Sequence, residues 1–120
     1  MPAIKVDVKG RHLDVSEALR AYTERRLHFA IGSFEPRIIR AQVCIADVNG
    51  PKGGVDKLCA IAVCLVETRW VFATADSASA YSAVDRAASR IRTVVARRIR
   101  TRLKARSRAY RSSIREEGRR

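Results

Sequence analysis

Arg86, Arg90, Arg97, Arg100, Lys104 and Arg108 stand four, seven, three, four and four residues apart. At about 100° per residue, that spacing places all six on one line of a helix roughly 80° wide. A row of guanidinium groups is chemistry for a polyanion. Each planar fork can donate two parallel hydrogen bonds to a phosphate, and it can stack on a base. The charge around the row agrees. Residues 86–120 hold 14 basic and 2 acidic side chains, while residues 1–85 hold 11 and 10, so the net +13 lies almost wholly in the last third. No acidic residue occurs between Asp85 and Glu116. A solvated face normally mixes both signs. Like charges at i, i+4 cost about 0.2–0.5 kcal/mol per pair. A run of this kind therefore implies a partner. An anionic membrane surface would satisfy the charge as a nucleic acid would, so charge alone does not choose between them.

Other basic residues can join the row. Arg25 and Arg26 lie on an earlier helical stretch, and Arg26 falls close to the apolar side marked by Tyr22 and Ala30. Its stem is expected to be buried, with the guanidinium reaching into a groove between helices. Lys52 and Lys57 flank Gly53 and Gly54, where bare backbone could approach a phosphate. The Asn49–Gly54 stretch has no helix after it, so it fails as a nucleotide cradle and reads first as a plain hairpin loop. Phosphate contacts orient a protein without reading sequence. Exposed aromatic residues are few and suggest no stacking platform for single strands. A structured RNA recognised by shape is the favoured partner.

Catalysis is not expected. The two histidines, His12 and His28, fall in a loop and on the polar side of a helix. No Gly-x-Ser-x-Gly, His-Glu-x-x-His or phosphate-loop signature is present. Cys44, Cys59 and Cys64 show no Cys-x-x-Cys spacing. Cys59 and Cys64, five apart on one strand, point to opposite faces, which gives neither a metal pair nor a disulfide. Buried thiols in a reducing compartment follow, with no cofactor and no small-molecule substrate. No apolar run reaches membrane-spanning length and no signal peptide opens the chain, so a cytoplasmic protein with no membrane partner is expected.

The elements that must position these residues can be read from periodicity. Ile4, Val6 and Val8 alternate with Lys5, Asp7 and Lys9 as a half-buried strand that Gly10 ends. Ser16 caps a helix over about 16–31, with Leu19, Tyr22, Thr23, Leu27 and Ala30 inward and Gly32 as its stop. A second strand begins at Ile39, with Ile39, Ala41, Val43 and Ile45 on one face and Arg40 and Gln42 on the other. Leu58–Val66 is an almost unbroken apolar run. It suits an interior strand covered on both faces, or one whose second face is weakly polar. After a short turn at Thr68-Arg69, Trp70, Phe72 and Thr74 alternate with Val71 and Ala73 as a fourth strand. Asp76 or Ser77 caps a second helix, whose apolar side is Tyr81, Val84, Ala88, Ile91, Val95 and Ile99. Beyond Ile99 this side fails, because Arg98, Arg102 and Arg106 take it over. The result is an α+β chain of order βαβββα. A helical crossover makes the first two strands parallel, and short loops make the rest antiparallel. The four-stranded mixed sheet carries both helices on one face. A folded domain over 1–108 and a basic, disordered tail over 109–120 are expected.

Gly10-Arg11-His12-Leu13-Asp14-Val15-Ser16-Glu17-Ala18-Leu19-Arg20, then Tyr22 and Arg25-Arg26-Leu27, resembles the opening of the ribosome hibernation-promoting factors and ribosome-associated inhibitors. Asp47–Lys57, and Asp76 with Ala80-Tyr81-Ser82-Ala83-Val84-Asp85, resemble that family's later blocks. The resemblance covers about residues 3–106 and points to the short form. It implies a βαβββα domain seated in the small-subunit decoding channel, where tRNA and mRNA would lie, acting as a translation inhibitor under stress or in stationary phase. It implies that Arg86, Arg90, Arg97, Arg98, Arg25 and Arg26 face ribosomal RNA. Two alternatives stand beside it: a double-stranded RNA-binding module, and a structural ribosomal or nucleoid protein.

Overall fold

The computed structural model describes residues 4–48, 55–66 and 69–118, with side chains as far as Arg115. Strand β1 (Lys5–Arg11) is followed by helix α1 (Glu17–Ile31), a 3-10 turn (Gly32–Arg37), β2 (Ile38–Asp47), β3 (Lys57–Leu65), β4 (Arg69–Ser77) and α2 (Ala80–Gly118). The sheet has the order β1-β2-β3-β4. β1 runs parallel to β2, while β2–β3 and β3–β4 are antiparallel. The expected α+β, βαβββα architecture is the one observed.

Both helices cover one face of the sheet. Val8, Ala41, Val43, Ile45, Cys59, Ile61, Val63, Val71, Ala73 and Ala75 are buried beneath Leu19, Leu27, Ile31, Val84, Ile91 and Val95. Among the described residues the other face has no covering layer. Alternation puts Lys5, Asp7, Arg40, Gln42, Ala60, Ala62, Trp70, Phe72 and Thr74 there. This settles the reading of β3: Cys59, Ile61, Val63 and Leu65 are buried on its inner face, and its second face carries half-buried Leu58, Ala60 and Ala62 with Cys64 buried near its end. Cys59 lies inside with no exposure, and burial pushes its thiol up to about 12. Cys64 points to the opposite face, as its spacing required.

Several local readings are corrected. β1 passes through Gly10 to Arg11. Gly32 does stop α1, as expected: it is the C-cap, its N–H donates to the His28 carbonyl, and its φ of −58° leads on into the 3-10 turn around Pro36. Ile39 is 51% exposed, because the register slips between Ile38 and Arg40. Ile39 is the extra residue of a β-bulge, which turns it out of phase with Ala41 and Val43. β4 consumes Asp76 and Ser77, so α2 starts at Ala80. Its first turn is held by Ser79, whose Oγ accepts from Ser82 N at 3.5 Å and whose carbonyl accepts from Ala83 N at 3.0 Å. Ser16 does cap α1, accepting from Leu19 N at 3.1 Å.

The largest difference is at the C-terminus. Residues 109–118, read from composition as disordered tail, continue α2, which is 39 residues long. Every residue from Thr101 to Arg115 is exposed. The extents are 71 × 30 × 18 Å and the radius of gyration is 18.2 Å, against about 14 Å for a compact domain of this size. A bare helical arm thus projects from the body. Its local propensity supports this, since Arg, Ala, Lys, Leu and Glu make up most of it and no Gly or Pro interrupts it before Gly118.

Candidate nucleic-acid interface

α2 sits close to the sheet because its inner positions are small. Ala83, Ala87 and Ala88 are fully buried alongside Val84, Ile91 and Val95. Tyr81, expected on this face, is 42% exposed at its margin. There it packs edge-on against Tyr22 of α1 with ring centroids 5.0 Å apart.

Turning away from that seat, Arg86, Arg90, Arg97, Arg100, Lys104 and Arg108 are all exposed, as the spacing predicted. Because the helix does not stop, Arg111 and Arg115 fall on the same line and are exposed too. Sequence reasoning missed this pair by ending the ordered helix near residue 108. The row from Arg86 to Arg115 spans about 43 Å at 1.5 Å per residue. Arg90 is also structural: Nη1 donates to the Thr74 carbonyl on the free edge of β4 at 2.6 Å.

Arg98 takes a different direction. With Arg37, Arg69, Arg102 and Arg106 it lines a cleft of about 240 Å³, floored by Pro36, Leu65, Val66 and Ile99, where α2 leaves the body. Arginines therefore occupy both sides of the helix at this point.

On α1, Arg25 is exposed while Arg26 is engaged. Arg26 Nε lies 3.3 Å from Asp85 Oδ1, and Nη2 donates to Ser89 Oγ at 3.0 Å and to the Asp85 carbonyl at 3.3 Å. Tyr22 Oη donates to the same carboxylate at 2.5 Å. That hydrogen bond, with desolvation, raises the Tyr22 phenol above its ordinary value. The expected snorkelling into the interhelical groove is what the geometry shows, and it makes Arg26 a clamp between helices. Arg92 adds to the clamp by donating to the Ala30 carbonyl at the end of α1, at 3.4 Å.

Lys57 stands apart from this group. Its Nζ is 3.0 Å from Asp56 Oδ1 and 3.6 Å from Asp47 Oδ2. The hydrogen bond to Asp56 is the main reason its ammonium titrates above the ordinary lysine value. Its charge is balanced within the protein. Lys52 and the Asn49–Gly54 loop lie outside the described residues, as does Thr68. Among the described residues no cluster could hold a metal ion. None of their helices is long and apolar enough to cross a membrane.

Residues 6–104 match the family model described as sigma 54 modulation protein / S30EA ribosomal protein. No curated protein matches the chain. Among solved structures, the chain is similar to a ribosomal subunit interface protein from Coxiella burnetii, at 24% identity and a TM-score of 0.67, covering 78% of this chain and 96% of that one. It is similar also to the N-terminal domain of Thermus thermophilus Protein Y, at 28% identity and a TM-score of 0.63, covering 80% and 98% respectively. With 99 consecutive residues of 120 inside the family's boundaries, the chain belongs to the sigma 54 modulation protein / S30EA ribosomal protein family.

Proposed function

We propose that this protein silences ribosomes by occupancy. It seats on small-subunit ribosomal RNA in the decoding channel, in the cytoplasm, and excludes tRNA and mRNA under stress or in stationary phase. The observation that carries this reading is the line of exposed basic residues along one helix of 39 residues, in a chain of a family named for a ribosomal protein. Arg86, Arg97, Arg100, Lys104, Arg108, Arg111 and Arg115 grip phosphates along α2. Arg25 extends the grip from α1, and Arg98 contributes from the cleft side. Arg26 holds the two helices at the angle the surface needs. No bond is made or broken; inhibition is steric.

Competition tests it. Initiator tRNA and this protein should displace each other from isolated small subunits, with each raising the apparent Kd of the other in proportion to its concentration. Simultaneous saturation of both would overturn the reading in favour of a permanent structural protein. Equal affinity for small subunits and for an unrelated RNA duplex of the same charge would overturn it in favour of a duplex-binding module.

A further inference from the structure

The uncovered face of the sheet carries a feature that the arginine row does not use. Trp70 and Phe72 stand two residues apart on β4, so both rings point to the same face, about 7 Å from each other along the strand. Phe72 is 65% exposed, an unusual amount for a ring in a sheet. Its cross-strand neighbour is Ala62, and the neighbour of Thr74 is Ala60. These small side chains leave a flat floor beside the ring. The Arg40 guanidinium lies over the Trp70 ring, 5.6 Å from its centre, so its planar fork already covers part of that half-buried ring and leaves Phe72 as the open one. Gln42 is exposed on β2 opposite Ala62, with an amide able to donate and accept. Lys5, Lys9, Arg11 and Arg40 share this face with two carboxylates, those of Asp7 and Asp76.

The face is continuous with the basic row. Because β4 is the edge strand, Phe72 also borders a shallow depression formed with Ser89, Arg90, Thr93 and Val94 of α2. Arg90 is both a member of the row and the group bonded across that edge to Thr74. A chain lying along the row thus has a short path around the β4 edge onto the aromatic rings.

We propose that Phe72 and the Trp70–Arg40 stack form a platform for unpaired RNA bases, with Gln42 beside it and the connecting phosphates on the Arg90 side of α2. A duplex keeps its base faces stacked and hidden, whereas an unpaired strand offers them to aromatic rings. The surplus of positive charge on the face favours a nucleic acid over an apolar protein segment. Its flat alanine floor suits a base plane and offers no knob a hole to fill. The proposal rests on the reading of RNA as the partner, and adds that the RNA has single-stranded nucleotides at this edge.

Trp70 is the chain's one tryptophan, so its emission reports on this face alone. The full chain is titrated with fluorescein-labelled hexauridylate and with a longer, stably paired labelled RNA duplex, compared at equal phosphate concentration. Anisotropy reads binding and tryptophan emission reads stacking. Hexauridylate is expected to quench Trp70 as it binds, and the duplex to bind without quenching. Phe72→Ala is expected to weaken hexauridylate binding roughly tenfold, while Phe72→Tyr binds as the unaltered chain does. Both variants should melt with the unaltered chain, since the ring is exposed. Hexauridylate that binds without changing Trp70 emission would overturn the platform and leave the arginine row standing. So would equal quenching by the duplex, or a Phe72→Ala chain that binds as well as the original. Failure of all three chains to bind either RNA would overturn the RNA reading itself. A dimer in sedimentation that Phe72→Ala dissolves would show a second copy as the occupant and overturn the proposal.

Discussion

A chain in which Arg97, Arg100 and Lys104 are all replaced by Gln binds its RNA site on the order of 100-fold more weakly at physiological salt. The figure follows from counterion release. Each phosphate neutralised contributes about 0.9 to the slope of log affinity against log salt, which at roughly 0.15 M is worth close to fivefold. Three lost contacts multiply to about two decades, and the slope shrinks by about 2 to 3 units. These three residues are the proper choice because each is exposed and lies where α2 leaves the body. Arg90 is not, since it ties α2 to Thr74. Gln keeps the helix propensity and removes repulsion along the row, so the melting temperature should hold or rise slightly. The measurement is fluorescence anisotropy with small subunits across a salt series. A triple variant with an unchanged slope would show the row to be an ordinary solvated face.

Gly10→Ala should lower stability by about 3 kcal/mol and the melting temperature by roughly 10 °C. A Cβ at Gly10 would lie 2.1 Å from the Leu13 carbonyl oxygen and 3.0 Å from Val15 Cγ2. The oxygen belongs to backbone and cannot rotate aside. Relief requires moving residues 12–15, which join β1 to the Ser16 cap of α1. That segment is already specialised: His12 has φ +57°, in the left-handed region. His12→Gly, which suits that conformation, should change stability by less than about 1 kcal/mol and serves as the control for the loop. Thermal unfolding followed by circular dichroism decides the matter. A Gly10→Ala chain melting within 2 °C or so of the original would mean the loop yields freely.

What the sequence could reveal depended on whether a signal was local and periodic. The α2 row was legible because seven residues separate Arg90 from Arg97, and no tertiary contact is needed to place that spacing on a helix. The arm was not legible. Past Ile99 there is no apolar stripe to phase the helix, and composition alone resembled a disordered tail. Ile39 misled because a bulge belongs to the ladder of two strands and leaves no mark in one of them. β4 is the instructive case. Its alternation was plain, yet period two does not say which face turns inward. Hydrophobicity nominates Trp70 and Phe72 for the core, but the buried set is Val71, Ala73 and Ala75. Those smaller residues match the alanine side of α2, so close approach of helix to sheet outweighed ring burial. The role of Arg26 was half visible: its snorkelling was read from its position beside Tyr22, but its bonds to Asp85 and Ser89, some 60 residues away, were not.

One geometric consequence remains in the continuity of α2. From Ala80 to Arg115 it contains neither Gly nor Pro, so the seated half and the projecting half form one stiff lever with its pivot in the core. The projecting part, residues 101–118, is about 27 Å long. A tilt of about 10° at the seat would swing its far end by nearly 5 Å over that length. Ala83, Ala87 and Ala88 therefore act as the sights of the instrument. A bulkier side chain there would leave every arginine in the sequence and every charge intact, and would still aim the arm in a different direction.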